Sequence, residues 1–371
     1  MKRYIVIGAG ILGASTAYHL AKAGAEVTII DREDKGQATD AAAGIVCPWI
    51  SQRRNKRWYN LVKHGAKFYP QLIEELKKEG EEETGYQQVG AISIHTDEER
   101  LEKMMARTLK RKEDAPEMGD IRRLSKEETK EMFPPLSDEY AAVFISGAAR
   151  VDGRALKQSL LRAAQKKGAV LINKDAQLLF EQTNVIGVQV ENENIMADSV
   201  IVTAGAWAKQ LLKPHNLTFQ VAAQKAQIIH LEIPETDTSE WPVVMPPTNQ
   251  YLLAFDKGRV VIGATHEDNK GFDQRVTAGG VHEVLHKALL VAPELTDSTI
   301  VETRVGFRPH TPDFLPVFGE VPGRKGLLVG NGLGASGLTA GPFLGAELAK
   351  LATGEKTTLR PEDYSVEDSI S

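Results

Sequence analysis

Gly8, Ala9, Gly10, Ile11, Leu12 and Gly13 form a Gly-x-Gly-x-x-Gly run directly after the apolar stretch Tyr4–Ile7, and an aspartate, Asp31, follows at about the 20-residue distance of a dinucleotide site. In such a site the first glycine makes the tight turn. The second lets a pyrophosphate approach the backbone, and the third permits close helix packing. The phosphates then meet a helix N-terminus, whose free N–H groups and dipole favour an anion. Asp31 is placed to accept hydrogen bonds from a ribose diol, and Arg32 beside it is assigned to the same site. This chemistry would serve NAD or FAD.

To work, the glycine turn must lie between a strand and a helix, and a second strand must deliver Asp31. The pattern predicts a strand to Ile7, a helix to about Ala23, and a second strand at Val27-Thr28-Ile29-Ile30, apolar as a strand buried on both faces would be. Helical spacing returns at Tyr59–Lys78. From Asp97 to Met132, Lys, Arg and Glu recur at helical spacing, with Ser125 and Glu128 set as a capping box, which predicts surface helices outside the nucleotide-binding core. Val151-Asp152-Gly153-Arg154 leads into an amphipathic helix ending at Lys167-Gly168. A strand at Ala169–Ile172, a meander through Gln177–Phe180 and Val185–Glu191, and a strand at Val200–Thr203 follow. A β-rich stretch has candidate strands at Ile228–Leu231, Gln250–Phe255 and Arg259–Gly263. Then come a helix near Val281–Leu290, a strand at Gly326–Val329, a Gly/Ala/Ser turn and a helix from about Leu338 to Leu351. The expected class is α/β, α+β overall, with a β-rich domain inserted into a Rossmann-type one.

At 371 residues the chain is longer than one hydrophobic core usually fills, so two intertwined domains are expected. A net charge of -5 gives no basic footprint and argues against nucleic acid as the main partner. The run Arg53-Arg54-Asn55-Lys56-Arg57 is basic, and a solvated surface is its commoner meaning. The single cysteine, Cys47, excludes an internal disulfide and a cysteine-based metal cluster, and fits a cytoplasmic location. Lys2-Arg3 and the apolar run after it superficially resemble a signal peptide, but Gly8, Gly10, Gly13, Ser15, Thr16 and His19 break the run. No stretch approaches the roughly 18 apolar residues of a spanning helix, so no integral membrane segment is expected. His64, His230 and His310 show no metal-ligand spacing, and no metal is expected.

Three later segments favour FAD, because with them the chain resembles the FAD-dependent family that includes D-amino acid oxidase, glycine oxidase and sarcosine oxidase. Ala38-Thr39-Asp40-Ala41-Ala42-Ala43-Gly44, with Ile45 next, resembles the family's small-residue stretch that passes the pyrophosphate and the flavin ring. The segment Ala197–Trp207, with Ala204, Gly205 and Trp207 at its end, resembles the strand and turn beside the dinucleotide. Gly330-Asn331-Gly332-Leu333-Gly334-Ala335-Ser336-Gly337-Leu338 resembles the C-terminal loop over the flavin, at the start of a helix whose dipole suits the reduced ring. Ala176 matches the position whose backbone meets adenine. The resemblance covers nearly the whole chain and is closest to the glycine oxidase branch. It implies a glutathione-reductase-like FAD-binding domain from residues 1–84, 146–218 and 300–371, and a substrate-binding domain from 85–145 and 219–299. The sarcosine oxidase type of covalent flavin needs a cysteine in the C-terminal third, which this chain lacks, so non-covalent FAD is expected.

The resemblance also assigns the substrate end. Gly306-Phe307-Arg308-Pro309 matches the family's Gly-x-Arg-Pro, whose arginine clamps the substrate carboxylate with a planar, permanently charged fork; a structural salt bridge is the other reading of Arg308. Tyr251 matches a tyrosine that donates to the same carboxylate, or is a buried tyrosine satisfied elsewhere. His266 falls where glycine oxidase has an apolar pocket residue, and is grouped with Arg308 and Tyr251. Two departures concern the substrate: Ala335 stands where glycine oxidases have a second arginine, and Arg304 where relatives often have an aromatic residue. Neither a Ser-His-Asp arrangement nor a carboxylate pair stands out, which suits hydride transfer to flavin, a step that needs orientation more than an acid or base. The implied reaction oxidises the C–N bond of glycine, a D-amino acid or an N-methyl amino acid to an imine, with oxygen or another acceptor taking the electrons. Alternatives are a dehydrogenase that feeds a quinone or carrier, tRNA aminomethyl demodification, which an acidic chain speaks against, and a non-catalytic FAD-binding subunit. A homo-oligomer stays open.

Overall fold

The computed structural model describes residues 1–370. Its first sheet has six strands in the spatial order Val317–Glu320, Leu327–Asn331, Ser199–Val202, Arg3–Ile7, Glu26–Ile30 and Val170–Ile172. All neighbours run parallel except the first pair. The sheet is apolar because both faces are covered: Val6, Ile29, Ile201 and Leu328 face one core, and Ile5, Val200, Val202 and Val329 face a second. The helix Ile11–Lys22 packs between the helices Gly153–Lys166 and Gly337–Thr353, so the C-terminal helix lies beside the N-terminal glycine turn.

The second sheet has eight strands, in the order Thr299–His310, Ala222–Glu232, Arg259–Gly263, Tyr251–Ala254, Val243–Met245, Ala91–His95, Ala141–Ile145 and Ile121–Leu124. Pro309 fits in the long Thr299–His310 strand because that strand is an edge, where one row of N–H groups needs no partner. A three-stranded meander, Gln177–Glu181, Asn184–Val190 and Glu193–Met196, hangs from the first sheet.

The stretch Asp97–Met132 departs from the expectation of surface helices alone. The helices Glu98–Lys112 and Lys126–Met132 are present, the latter with its Ser125/Glu128 capping box. Between them, however, Ile121–Leu124 is a strand paired with Ala141–Ile145, so the segment belongs to the eight-stranded sheet. The partner lies about 20 residues away and the strand carries two arginines, so no local apolar alternation announces it. Among the described residues no helix is long and apolar enough to cross a membrane.

Candidate active site

A cavity of about 540 Å³ opens between the ends of the first-sheet strands and the second sheet. The glycine turn forms its floor, and the three glycines divide the work physically. Gly8 has φ +101°, and a Cβ there would lie 2.7 Å from the Thr203 carbonyl oxygen. A Cβ on Gly13 would lie 1.8 Å from the Gly8 carbonyl oxygen, so this glycine serves packing and is absent from the cavity wall. A Cβ on Gly10 would meet only Thr39 Oγ1, at 3.4 Å, because that position opens into the cavity. The helix that begins at Ile11 has no side-chain cap and no acidic residue in its first turn, which leaves its dipole free for an anion. Thr39 Oγ1 accepts from the Ile11 N–H at 2.9 Å, which draws the small-residue stretch onto the turn.

Asp31 accepts from the Ala9 N–H at 2.5 Å, from the Glu33 N–H at 2.6 Å and from the Gln37 side chain at 2.9 Å. These bonds hold the carboxylate at the cavity edge, while Ala9 itself is buried behind the wall. Arg32 lines the same edge, held by Asp34 at 2.6 Å and reaching Asp175 at 3.5 Å, next to Ala176. Ile11, Leu12, Thr39, Ala42, Ala43, Gly44 and Ile45 line the central part. Ala204, Gly205 and Trp207 complete that wall, with the Trp207 ring stacked on Phe272 at 4.9 Å.

Opposite, the C-terminal loop presents Gly334, Ala335, Gly337 and Leu338 to the cavity. Ser336 does not join them: it turns away and accepts from Trp58 Nε1 at 3.0 Å. Asn331 shapes the loop by donating to the Gly205 carbonyl at 2.9 Å and accepting from the Gly332 N–H at 2.7 Å. The helix Gly337–Thr353 likewise starts without a side-chain cap.

Arg308 and Tyr251 also line the cavity, delivered by two strands of the second sheet. The Arg308 guanidinium donates to Gln224 Oε1 and to the Thr265 carbonyl, both at 3.3 Å, and pairs with the Tyr251 hydroxyl. Every partner is neutral, so Arg308 forms no structural salt bridge among the described residues; burial without a counter-charge lowers its pKa. Tyr251 has its pKa raised by burial, with Arg308 opposing the rise. Arg304 is different: it is paired with Glu302 at 2.8 Å. His266 departs from its expected place. It is exposed, lies off the cavity wall and meets Asn249 at 3.4 Å. Its strand ends at Gly263, so strand alternation does not fix the direction of residue 266. Gln224 and Thr265 carried no motif. Gln224 meets Arg308 through strand register, and Thr265 meets it from the loop just beyond Gly263.

The family model for FAD dependent oxidoreductases, DAO, matches residues 3–351 of this chain. The chain belongs to that family. The oxidoreductase is 64% identical over 365 residues to the uncharacterized oxidoreductase YurR of Bacillus subtilis, covering 98% of each chain. It is 30% identical over 369 residues to glycine oxidase of Pseudomonas aeruginosa, again covering 98% of each. Among solved structures, iminodiacetate oxidase from Chelativorans sp. BNC1 superposes with a TM-score of 0.95 at 50% identity, with 98% of each chain covered. The site of the oxidoreductase fits FAD: an open cradle at Gly10, two uncapped helix N-termini and the Asp31 carboxylate meet in one cavity.

Proposed function

We propose that the enzyme oxidises the C–N bond of a small amino acid whose nitrogen carries a substituent, an N-substituted glycine in the first instance. The observation that carries this reading is Arg308, a guanidinium on the cavity wall whose partners are all neutral. A permanently charged group in that position calls for an anion, and a carboxylate matches its fork. The glycine oxidase and iminodiacetate oxidase relatives support the carboxylate, since both named substrates carry one a single carbon from the nitrogen. Ala335 supports the substituent, because a small neutral side chain on the cavity wall leaves room beside the amine.

Arg308 and Tyr251 hold the carboxylate and thereby fix the adjacent carbon, the orientation on which the transfer depends. FAD, when bound, accepts the hydride equivalent from that carbon. The amine enters neutral and gives up its N–H proton, so R–NH–CH2–COO⁻ becomes the imine R–N=CH–COO⁻. Water then releases an oxo acid and the amine R–NH2. The two electrons pass to dioxygen, giving hydrogen peroxide, or to another acceptor, which an oxygen electrode distinguishes. Gly10, Thr39, Asp31 and the two helix N-termini would hold the dinucleotide. Binding is proposed as non-covalent: Cys47 is buried and its thiol is pushed up to about 12, so it offers no thiolate for attachment. Such a thiol also suits a reducing cytoplasm. The division of labour follows the two sheets, with residues 1–84, 146–218 and the chain after His310 on the cofactor side and the Thr299–His310 strand on the substrate side.

Anaerobic flavin reduction with glycine, D- and L-amino acids, sarcosine and iminodiacetate tests the proposal. Bleaching fastest with the N-substituted glycines is expected. No bleaching with any of them overturns it, and glycine as the best substrate by a wide margin overturns the N-substituent.

A further inference from the structure

Three neighbouring strands of the second sheet place Tyr251, Gly263 and Ile228 side by side, because Gly263 is the register partner of both others. Directly opposed residues share a face of the sheet, and Tyr251 and Ile228 line the cavity from it. A Cβ on Gly263 would lie 2.7 Å from the Tyr251 hydroxyl oxygen, 3.0 Å from Tyr251 Cζ and 2.8 Å from Ile228 Cγ2. A strand side chain ordinarily stands away from the sheet. The far end of the Tyr251 ring instead lies over the neighbouring strand, in the space that a side chain at 263 would fill, and there its hydroxyl meets the Arg308 guanidinium. The φ of Gly263 is outside the left-handed region, so it is space, and not backbone conformation, that calls for glycine. Gln250, buried directly before Tyr251, donates to the Ala264 carbonyl at 3.0 Å and fastens the two strand ends together. One residue further on, the Thr265 carbonyl accepts from Arg308 at 3.3 Å.

We infer that Gly263 is a positioning residue for substrate binding: its missing side chain is the slot in which the Tyr251 ring lies, and the slot sets the tyrosine hydroxyl beside Arg308 to share the substrate carboxylate. The inference rests on the substrate reading above, in which both side chains hold that carboxylate. A methyl group at 263 has two neighbours to displace. Ile228 is packed in the core, while the Tyr251 ring borders the cavity, so the ring is the one that yields. Tipping it off the strand takes the hydroxyl away from Arg308 and narrows the substrate end. Arg308 keeps Gln224 and Thr265, so its own aim survives while the carboxylate loses its second donor. The geometry of the pair thus depends on a residue with no side chain, on a strand that carries neither Arg308 nor Tyr251.

The test is a double-mutant cycle on the FAD-loaded enzyme with Gly263→Ala, Tyr251→Phe and the two together. The probe is methoxyacetate, a carboxylate shaped like sarcosine with an ether oxygen in place of the amine, whose Kd is read from the flavin absorption; KM and kcat for sarcosine are measured in parallel. Each single substitution is expected to raise the Kd by roughly 3- to 30-fold, the effect of one hydrogen bond to a charged group, and to act on sarcosine mainly through KM. The two together should raise the Kd by no more than about twofold beyond Tyr251→Phe alone, because the hydroxyl that the methyl displaces is already gone. Effects that multiply, a parental Kd in either single variant, or loss of FAD from Gly263→Ala overturns the inference and leaves the substrate reading intact. If Gly263→Ala fails to fold, the double variant decides. One that folds and binds methoxyacetate like Tyr251→Phe supports the slot, since the atom nearest the methyl was the hydroxyl oxygen. One that binds more weakly, or also fails to fold, overturns it, because the glycine then serves the backbone. A parent that neither binds methoxyacetate nor oxidises any N-substituted glycine overturns the substrate reading, and this inference with it.

Discussion

Gln224 stands directly opposite Arg308 in the antiparallel pairing of the strands Ala222–Glu232 and Thr299–His310, and its amide oxygen accepts from the guanidinium at 3.3 Å. The other end of the same amide donates to Asp268 at 2.9 Å, which fixes its orientation. Arg308 is thus aimed by a neutral group that does not compete with a substrate anion for its charge.

Arg308→Met is expected to lose about 2–5 kcal/mol of transition-state stabilisation for amino acids, roughly 30-fold or more in kcat/KM. FAD content should stay near that of the parent. Arg308→Lys should recover only part, because a point charge lacks the fork. Amines without a carboxylate should lose far less. Equal damage to amines and amino acids would assign Arg308 to the scaffold.

Gly13 and Gly10 should fail in different ways. Gly13→Ala places a methyl 1.8 Å from the Gly8 carbonyl oxygen, so the backbone must move; the apoprotein should lose about 1–3 kcal/mol or more, read as a lower Tm. In Gly10→Val the Cβ meets only Thr39 Oγ1, at 3.4 Å, and the side chain enters the cavity, so the apoprotein should melt near the parent while its FAD affinity falls. Retained FAD affinity in Gly10→Val would remove Gly10 from the phosphate cradle.

Asp31→Ala should weaken FAD retention in a folded apoprotein, measured as the Kd for added FAD. The variant also frees the Ala9 N–H that the carboxylate accepts at 2.5 Å, so the turn loses one of its restraints. Asp31→Glu should restore part of the affinity. An unchanged Kd in Asp31→Ala would show that the ribose is held elsewhere.

His230 gives the fold an acid-sensitive element. It is buried beside Arg304, Arg259 and Arg154, with Glu302 as the opposing charge; burial and then these arginines lower its pKa from 6.5 to about 4. Between pH about 6.5 and about 4 the unfolded chain therefore binds a proton that the folded protein does not. This contribution is fully present above the unfolded value and is lost as pH falls through that window. His230→Gln should flatten the decline of Tm across the window; a slope equal to the parent's would assign the acid sensitivity to other groups.

What could be read in the sequence was local. The glycine turn, Asp31 and the uncapped start of the first helix are legible because steric and dipole demands act over a few residues, and the structure puts Gly8, Gly10 and Asp31 on one cavity. The same locality let the Ser125/Glu128 capping box be read correctly while the strand Ile121–Leu124 beside it was missed, since a strand's partner is not encoded within the strand. His266 shows the limit of matching by position: one residue's direction depends on where its strand stops. Tertiary structure alone decided which arginines are free. In sequence Arg304 and Arg308 differ by four positions and look alike, but Glu302 pairs with the first and, among the described residues, only neutral groups reach the second. Arg53 reads as part of a solvated basic run until the fold brings it to Phe314, 261 residues away. Charge is written in the sequence, but whether it is already neutralised depends on contacts between distant segments, which only folding brings together.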